Sequence, residues 1–412
     1  MNLLLLRSAF QTDDFVKQEY AELLKRLQTV CNADIQIIGE DTVETHSFAS
    51  QPVPDAVMIA TGGVENLFKT LWPRFDVEAM CAPIGPKTVT LIADGRNNSL
   101  AAALEILTYL GNNGMEGRIL HGTTDDIVET LQVTSLLKGT RIGLFGKPSD
   151  WLIASDVDRD YLRKHFGVAT VDIDLQRLIE GIKEIPQKEA IKISQVIVKR
   201  SEGVKEPSCA DMVEASKAYL ALKKICQEER LDAMTIRCFD IVKACGTTSC
   251  LALALLNDEG IVSGCEGDMQ TLMTMLLVKR LCGMEAFMAN PSTLTDTTTM
   301  LAHCTIPLNL CEKNVIRSHF ESSIGVAIQG VMPLQDYTIV KWGGSHLDQY
   351  FVAEAQAIEA PYSDHFCRTQ ITLNLNMKDY LLQRPIGNHH VIVPGRHRKV
   401  LEDFFSSLKA KD

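Results

Sequence analysis

Short apolar runs of strand length alternate with longer stretches of helical period along the first 136 residues, and few folds accommodate that pattern. The strand candidates are Asn2–Leu6, Asp34–Ile38, Asp55–Ala60, Thr88–Ala93 and Arg118–Leu120. Among the helical stretches between them, Val16, Tyr20, Leu23, Leu24 and Leu27 recur at spacings of three and four and draw one apolar stripe. Alternation on this scale predicts a parallel sheet with helices on both faces, which binds ligands at the carboxyl ends of its strands. Thr61-Gly62-Gly63 directly follows the third strand candidate and fits either such a loop or a plain glycine turn.

A second unit of the same kind opens near Leu137. Arg141–Phe145 reads as a buried strand and Gly146-Lys147-Pro148-Ser149-Asp150 as its end. The Gly-Lys pair does not make a P-loop: Arg141 stands where the phosphate-cradling glycine belongs, and Pro148 where Ser or Thr would meet magnesium. No G-x-G-x-x-G occurs, so a nucleotide cofactor has no support. Strands near Val168–Ile173 and Ala233–Ile236 and a strongly apolar helical region, Met269 to Leu281, continue the unit. After about Pro291 the runs become short, β-rich and punctuated by Gly, Pro, Asn and Asp: Tyr337–Val340, Tyr350–Ala353, Gln370–Leu375 and His390–Val393. An amphipathic helix, Arg398 to Leu408, ends the chain. The expected architecture is α/β: two doubly wound parallel-sheet domains, 1–136 and 137–291, then a small antiparallel β-barrel-like domain, 292–412.

Composition narrows the function classes. The 412 residues carry 41 basic and 52 acidic side chains, a net charge of −11, so no broad basic face for nucleic acid is expected. No apolar run reaches the roughly 18–20 residues of a membrane span, and Met1 to Phe10 reads as a first strand, not a signal peptide. The twelve cysteines contain no C-x-x-C pair; the nearest spacing is Cys245 and Cys250. They are expected to be reduced, in a cytoplasmic protein.

Residues suited to metal or proton chemistry gather in three places. In Cys265-Glu266-Gly267-Asp268, two carboxylates two positions apart at a strand end point differently, so one can face a cavity while the other bonds backbone. A solvated turn fits this pattern as well. His303 lies in the apolar segment Met300 to Pro307, where a satisfied core histidine and a ligand are both open. In Gly387-Asn388-His389-His390, adjacent histidines entering a strand face opposite sides. Oxygen and imidazole donors of this kind suit a divalent metal, manganese especially.

Taken together, Cys265-Glu266-Gly267-Asp268, Phe287-Met288-Ala289-Asn290, Leu301-Ala302-His303 and Gly387-Asn388-His389-His390 resemble the L-fucose isomerase / L-arabinose isomerase family of aldose–ketose isomerases. The resemblance is specific from about Cys238 to His303 and again near His389, and covers the domain order elsewhere. It implies Glu266 as metal ligand and base, Asn290 at the position of a second ligand and proton carrier, and His303 and His389 as further ligands. Asn388 would bond substrate hydroxyls and Asp268 would support the shell. Mn²⁺, or alternatively Mg²⁺, would chelate O1 and O2 of an open-chain sugar and stabilise a cis-enediol-like intermediate.

One position departs from that pattern. Asn290 stands where the family has Asp or Glu, and an amide brings neither negative charge nor a proton acceptor. Asp268, Asp296 or a water can take over, or the reaction has changed or been lost. The rival reading is therefore a non-catalytic or repurposed sugar-binding protein on the same fold. The resemblance also implies a homo-oligomer, trimer or hexamer, in which residues 1–136 cover a neighbour's pocket with Thr61-Gly62-Gly63 among the approaching loops. Sedimentation equilibrium returning a 45.6 kDa monomer would refute that assembly.

Overall fold

The computed structural model describes residues 1–42, 53–74 and 89–409. The chain divides into two compact units: residues 1–138 with 163–167 and 406–412, and residues 139–162 with 168–405.

In the first unit, strands β1 (Asn2–Arg7), β2 (Asp34–Gly39), β3 (Ala56–Ile59), β4 (Val89–Ile92) and β5 (Gly117–Leu120) form a parallel sheet in the order β2-β1-β3-β4-β5. This is a doubly wound order, with the switch point between β1 and β3. Alternation along β1 explains the two-sided core. Leu4 and Leu6 pack with Phe68, Leu71, Ala102, Ala103 and Ile106 on one face. Leu3 and Leu5 pack on the other with Val16, Tyr20, Leu23, Leu24 and Leu27, the stripe visible in the sequence. Thr61-Gly62-Gly63 lies at the carboxyl edge, where Thr61 Oγ1 accepts the Ser8 N–H at 2.9 Å and the Gly62 N–H donates to Asn97 O at 2.7 Å. A Cβ on Gly62 would come within 2.9 Å of Asn98 Cβ, which accounts for glycine there. The expected Thr88–Ala93 strand is observed as Val89–Ile92; Thr88 lies outside the described residues.

The second unit holds a four-stranded parallel sheet and a barrel. Strands β6 (Arg141–Phe145), β7 (Ala169–Ile173), β8 (Ala233–Ile236) and β9 (Val262–Cys265) run in the order β7-β6-β8-β9, the same winding as the first sheet with one strand fewer. The helix Met269–Cys282 leaves the end of β9. Every residue from Met269 to Val278 is buried, because the helix is covered by sheet strands and barrel strands alike.

Strands β10 (Phe287–Leu294), β11 (Thr299–His303), β14 (Asp336–Gly343), β15 (Gln349–Glu359), β16 (Thr369–Leu373) and β17 (His390–Pro394) close into an antiparallel barrel, and β12 (Lys313–Arg317) pairs separately with β13 (Ala327–Val331). Strand β10 begins at Phe287, ahead of the change in texture at Pro291. The proline is accommodated because the register with β11 shifts between Pro291 and Thr293. Among the described residues no helix is long and apolar enough to cross a membrane. The described cysteines are all free thiols.

Candidate metal centre

Glu266 sits where β9 ends. Its backbone is left-handed, φ +63°, and Gly267 follows at φ +76°. A non-glycine residue in this region is uncommon and signals a constraint from its surroundings. The constraint here is the loop after β6: the Ser149 N–H donates to Glu266 O at 2.8 Å, and a Cβ on Gly267 would lie 2.6 Å from Pro148 Cα. The Gly146–Asp150 segment thus clamps the turn that aims Glu266. Trp151, next on that loop, donates its Nε1–H to Glu266 Oε2 at 2.6 Å.

The barrel supplies the imidazoles. Strand β10 lies between β11, which ends in His303, and β17, which His389 precedes. Ala289 pairs with His390, the residue after His389, and Asn290 pairs with Ala302, the residue before His303. The Cys265 N–H reaches Met288 Sδ at 3.2 Å and ties the end of β9 to β10. As a result the ligand atoms of Glu266, His303 and His389 all lie within 4.8 Å of one another. The His303 and His389 rings cross at 69° with centroids 5.3 Å apart.

Each side chain presents a free donor to this point. His303 engages Thr305 Oγ1 through Nδ1 at 3.0 Å, leaving Nε2. Burial, with the neighbouring His389 and His319, drives His303 well below the usual imidazole range, so it is a neutral lone-pair donor. His389 is buried, and its Nδ1 is bonded to Asp268 Oδ2 at 2.9 Å. Its Nε2 is buried without a partner and stands 3.9 Å from Glu266 Oε1. Asn290 Oδ1 is likewise buried and unpartnered. Orphaned polar atoms of this kind are rare in folded proteins, and the one on His389, beside a carboxylate and a neutral imidazole, fits a divalent cation.

Asp268 does other work. It caps the helix Met269–Cys282, accepting the Thr271 N–H at 2.8 Å and the Thr271 hydroxyl at 2.8 Å. Fully buried Lys341, from β14, stands 3.8 Å away and donates to Thr271 Oγ1 at 2.7 Å. Burial alone would raise the Asp268 carboxyl. The Lys341 charge and the bonds to His389 and Thr271 outweigh it and hold the group below the usual carboxylate range. An ionised Asp268 keeps the proton on His389 Nδ1 and the lone pair on Nε2, the arrangement typical of metal-ligating histidine. Asp268 is therefore committed to this network, and Asp296, the other carboxylate considered for Asn290's role, is exposed and paired with Lys378 at 2.7 Å.

Asn388 is exposed two residues before β17, its carbonyl accepting from His390 Nδ1 at 2.9 Å. His390 turns away from His389 and bonds the Tyr380 hydroxyl at 2.9 Å. Sequence reasoning did not find Lys341, Trp151, Thr271 or His319. A signal existed for the first: a lysine between Val340 and Trp342 in an apolar strand.

Three imidazoles are held neutral by burial: His303, His319, pushed down to about 4 with help from Arg368, and His390, pushed down to about 3 with help from Lys341. In the unfolded chain each titrates near 6.5. The unfolded state therefore binds more protons below that value, and stability, full above it, falls as pH drops. The expected slope is about 1.4 kcal/mol per pH unit for each imidazole. Urea unfolding of the metal-free protein between about pH 7 and pH 5 measures it; a flat profile contradicts the burial of these rings.

No family model matches this chain. The chain is similar to proteins named sulfoquinovose isomerase. It is 24% identical to that of Alkalicoccus urumqiensis over 296 residues, 67% of this chain and 65% of the relative. It is 23% identical to that of Clostridium sp. (strain MSTE9) over 218 residues, 50% of this chain and 48% of the relative. The match to that of Priestia aryabhattai is 24% over 157 residues, 38% and 35% of the two chains. The matched regions thus span from about a third to just under two thirds of these relatives.

Proposed function

We propose that this chain is a divalent-metal-dependent aldose–ketose isomerase. The observation that carries the reading is the convergence of Glu266, His303 and His389, with His389 Nε2 and Asn290 Oδ1 buried and unpartnered. The names of the similar proteins support sugar isomerisation and make sulfoquinovose the first sugar to test. Glu266, His303, His389 and the Asn290 amide would hold the ion, Mn²⁺ before Mg²⁺. The ion would supply Lewis-acid stabilisation of charge on O1 and O2 of the open-chain sugar.

The protein's own residues account for the rest. Glu266 would be the carboxylate that moves a proton between C1 and C2. Trp151 holds that carboxylate in one orientation, and Asn388, exposed just ahead of β17, is the hydroxyl-binding residue of the proposal. Proton NMR of a sugar panel with Mn²⁺, with Mg²⁺ and with EDTA tests the reading; no metal-dependent conversion of any sugar would defeat it.

Asn290 favours the second reading, a sugar-binding protein without turnover. The two separate at one substitution. Asn290→Asp adds charge and a proton acceptor, so in an isomerase Mn²⁺ binds about tenfold tighter and turnover rises by up to about 10²-fold. Metal titration calorimetry and the NMR assay read both. Weaker binding and lower turnover on every sugar would show that this position has been rebuilt for another purpose.

A further inference from the structure

Trp151 is 53% exposed although its ring nitrogen is committed to the candidate metal centre. The 2.6 Å bond from Nε1–H to Glu266 Oε2 is charge-assisted and fixes the acceptor's orientation. It occupies one carboxylate oxygen and leaves Oε1, 3.9 Å from His389 Nε2, as the oxygen on the imidazole side. The indole is braced from behind. It meets Phe239 edge to face with centroids 5.0 Å apart, and Phe239 meets His319 in the same way at 5.5 Å. Its loop is pinned to Glu266 and Gly267 through Ser149 and Pro148. A large ring anchored at its polar edge, with half its surface open beside a candidate metal centre, is built to receive something apolar on one side and hydrogen-bonding on the other.

We propose that Trp151 is the residue on which the sugar's carbon skeleton lies: its N–H holds the Glu266 carboxylate while its open face takes the C–H face of the open-chain sugar. The proposal rests on the reading of this site as a sugar site. It makes Trp151 both a positioning residue for Glu266 and a contact for substrate, two roles that different substitutions separate.

The protein carries its own probe. Of its three tryptophans, Trp72 and Trp342 are buried, so acrylamide quenching reads Trp151. Sorbitol, galactitol and fucitol, open-chain polyols that cannot isomerise, serve as ligands in the presence of Mn²⁺. The expected result is protection of Trp151 from acrylamide by at least one polyol. Trp151→Phe keeps a ring and loses the N–H, so Mn²⁺ affinity falls several-fold while polyol affinity, followed by calorimetry, is largely retained. Trp151→Leu loses both, and polyol affinity falls about tenfold. If Mn²⁺ stabilises the protein but no polyol protects Trp151, the proposal is overturned and the metal reading stands. If Mn²⁺ does nothing but a polyol still protects, the isomerase reading falls and Trp151 remains the contact of a sugar-binding protein. Protection that follows protein concentration and not polyol means that a second copy covers the ring, which also overturns the proposal.

Discussion

On the proposed reading, replacing Glu266 by Gln is expected to abolish the stabilisation that Mn²⁺ would confer on this chain. A ligand that binds only the native state stabilises it by about 2.7 kcal/mol at a hundredfold excess over its dissociation constant. Among the described residues Glu266 is the sole carboxylate of the cluster, so the amide removes the anionic donor and leaves the two imidazoles. Glutamine is close in size and still accepts the Trp151 N–H through its amide oxygen, so the fold is expected to survive. On that reading the same variant also loses the group proposed to move a proton, and isomerisation is expected to fall by about 10³-fold or more. Thermal unfolding with and without Mn²⁺ decides the first point: an undiminished Mn²⁺ shift in Glu266→Gln removes this residue from the metal site.

Lys341→Met is the substitution with the largest expected cost to stability. Lys341 and Asp268 are both fully buried, and their charges compensate one another at 3.8 Å. Burial drags the Lys341 ammonium down, and the Asp268 carboxylate opposes that shift. Removing the cation alone leaves an ionised carboxylate with no full counter-charge in the interior, a change that costs about 3–5 kcal/mol. If Asp268 takes a proton instead, its hold on His389 Nδ1 weakens, and on the proposed reading Mn²⁺ affinity drops with stability. Lys341→Arg keeps the charge but is not expected to be neutral, because a planar guanidinium does not reproduce the ammonium's contacts with Thr271 and Asp268. Urea unfolding monitored by circular dichroism measures the effect; a loss below about 1 kcal/mol shows that the pair is not the buried ion pair described here.

Much of the fold was legible because hydrophobic periodicity is a local property. The Arg141–Phe145 strand and the apolar run from Met269 appear as the elements predicted for them, whereas the Val16–Leu27 stripe is carried by two helices, Asp13–Glu19 and Ala21–Val30, that break at Tyr20. The barrel was legible only as a texture. Its strands were read short, as with Tyr350–Ala353 inside the eleven-residue β15, because exposed and half-buried positions dilute the period of two. Helices Gln187–Arg200 and Cys209–Glu228 are absent from the sequence reading although Pro186 and the Ser208–Asp211 capping box mark their starts.

The site divides along the same line. Glu266, His303 and His389 were found as chemically suggestive residues within short segments, and the divergence of Glu266 from Asp268 follows from local chain direction. Their meeting within 4.8 Å did not follow, since it needs β10 between β11 and β17 and the end of β9 tied to β10. Lys341 and Trp151 lie 75 and 115 residues from Glu266 and belong to no motif, so their parts in the site exist only in three dimensions. Period, charge and residue type are written along the chain and can be read there. Burial, the partner of each donor and the atom left without one depend on which distant strands close the barrel, and long-range packing alone settles them.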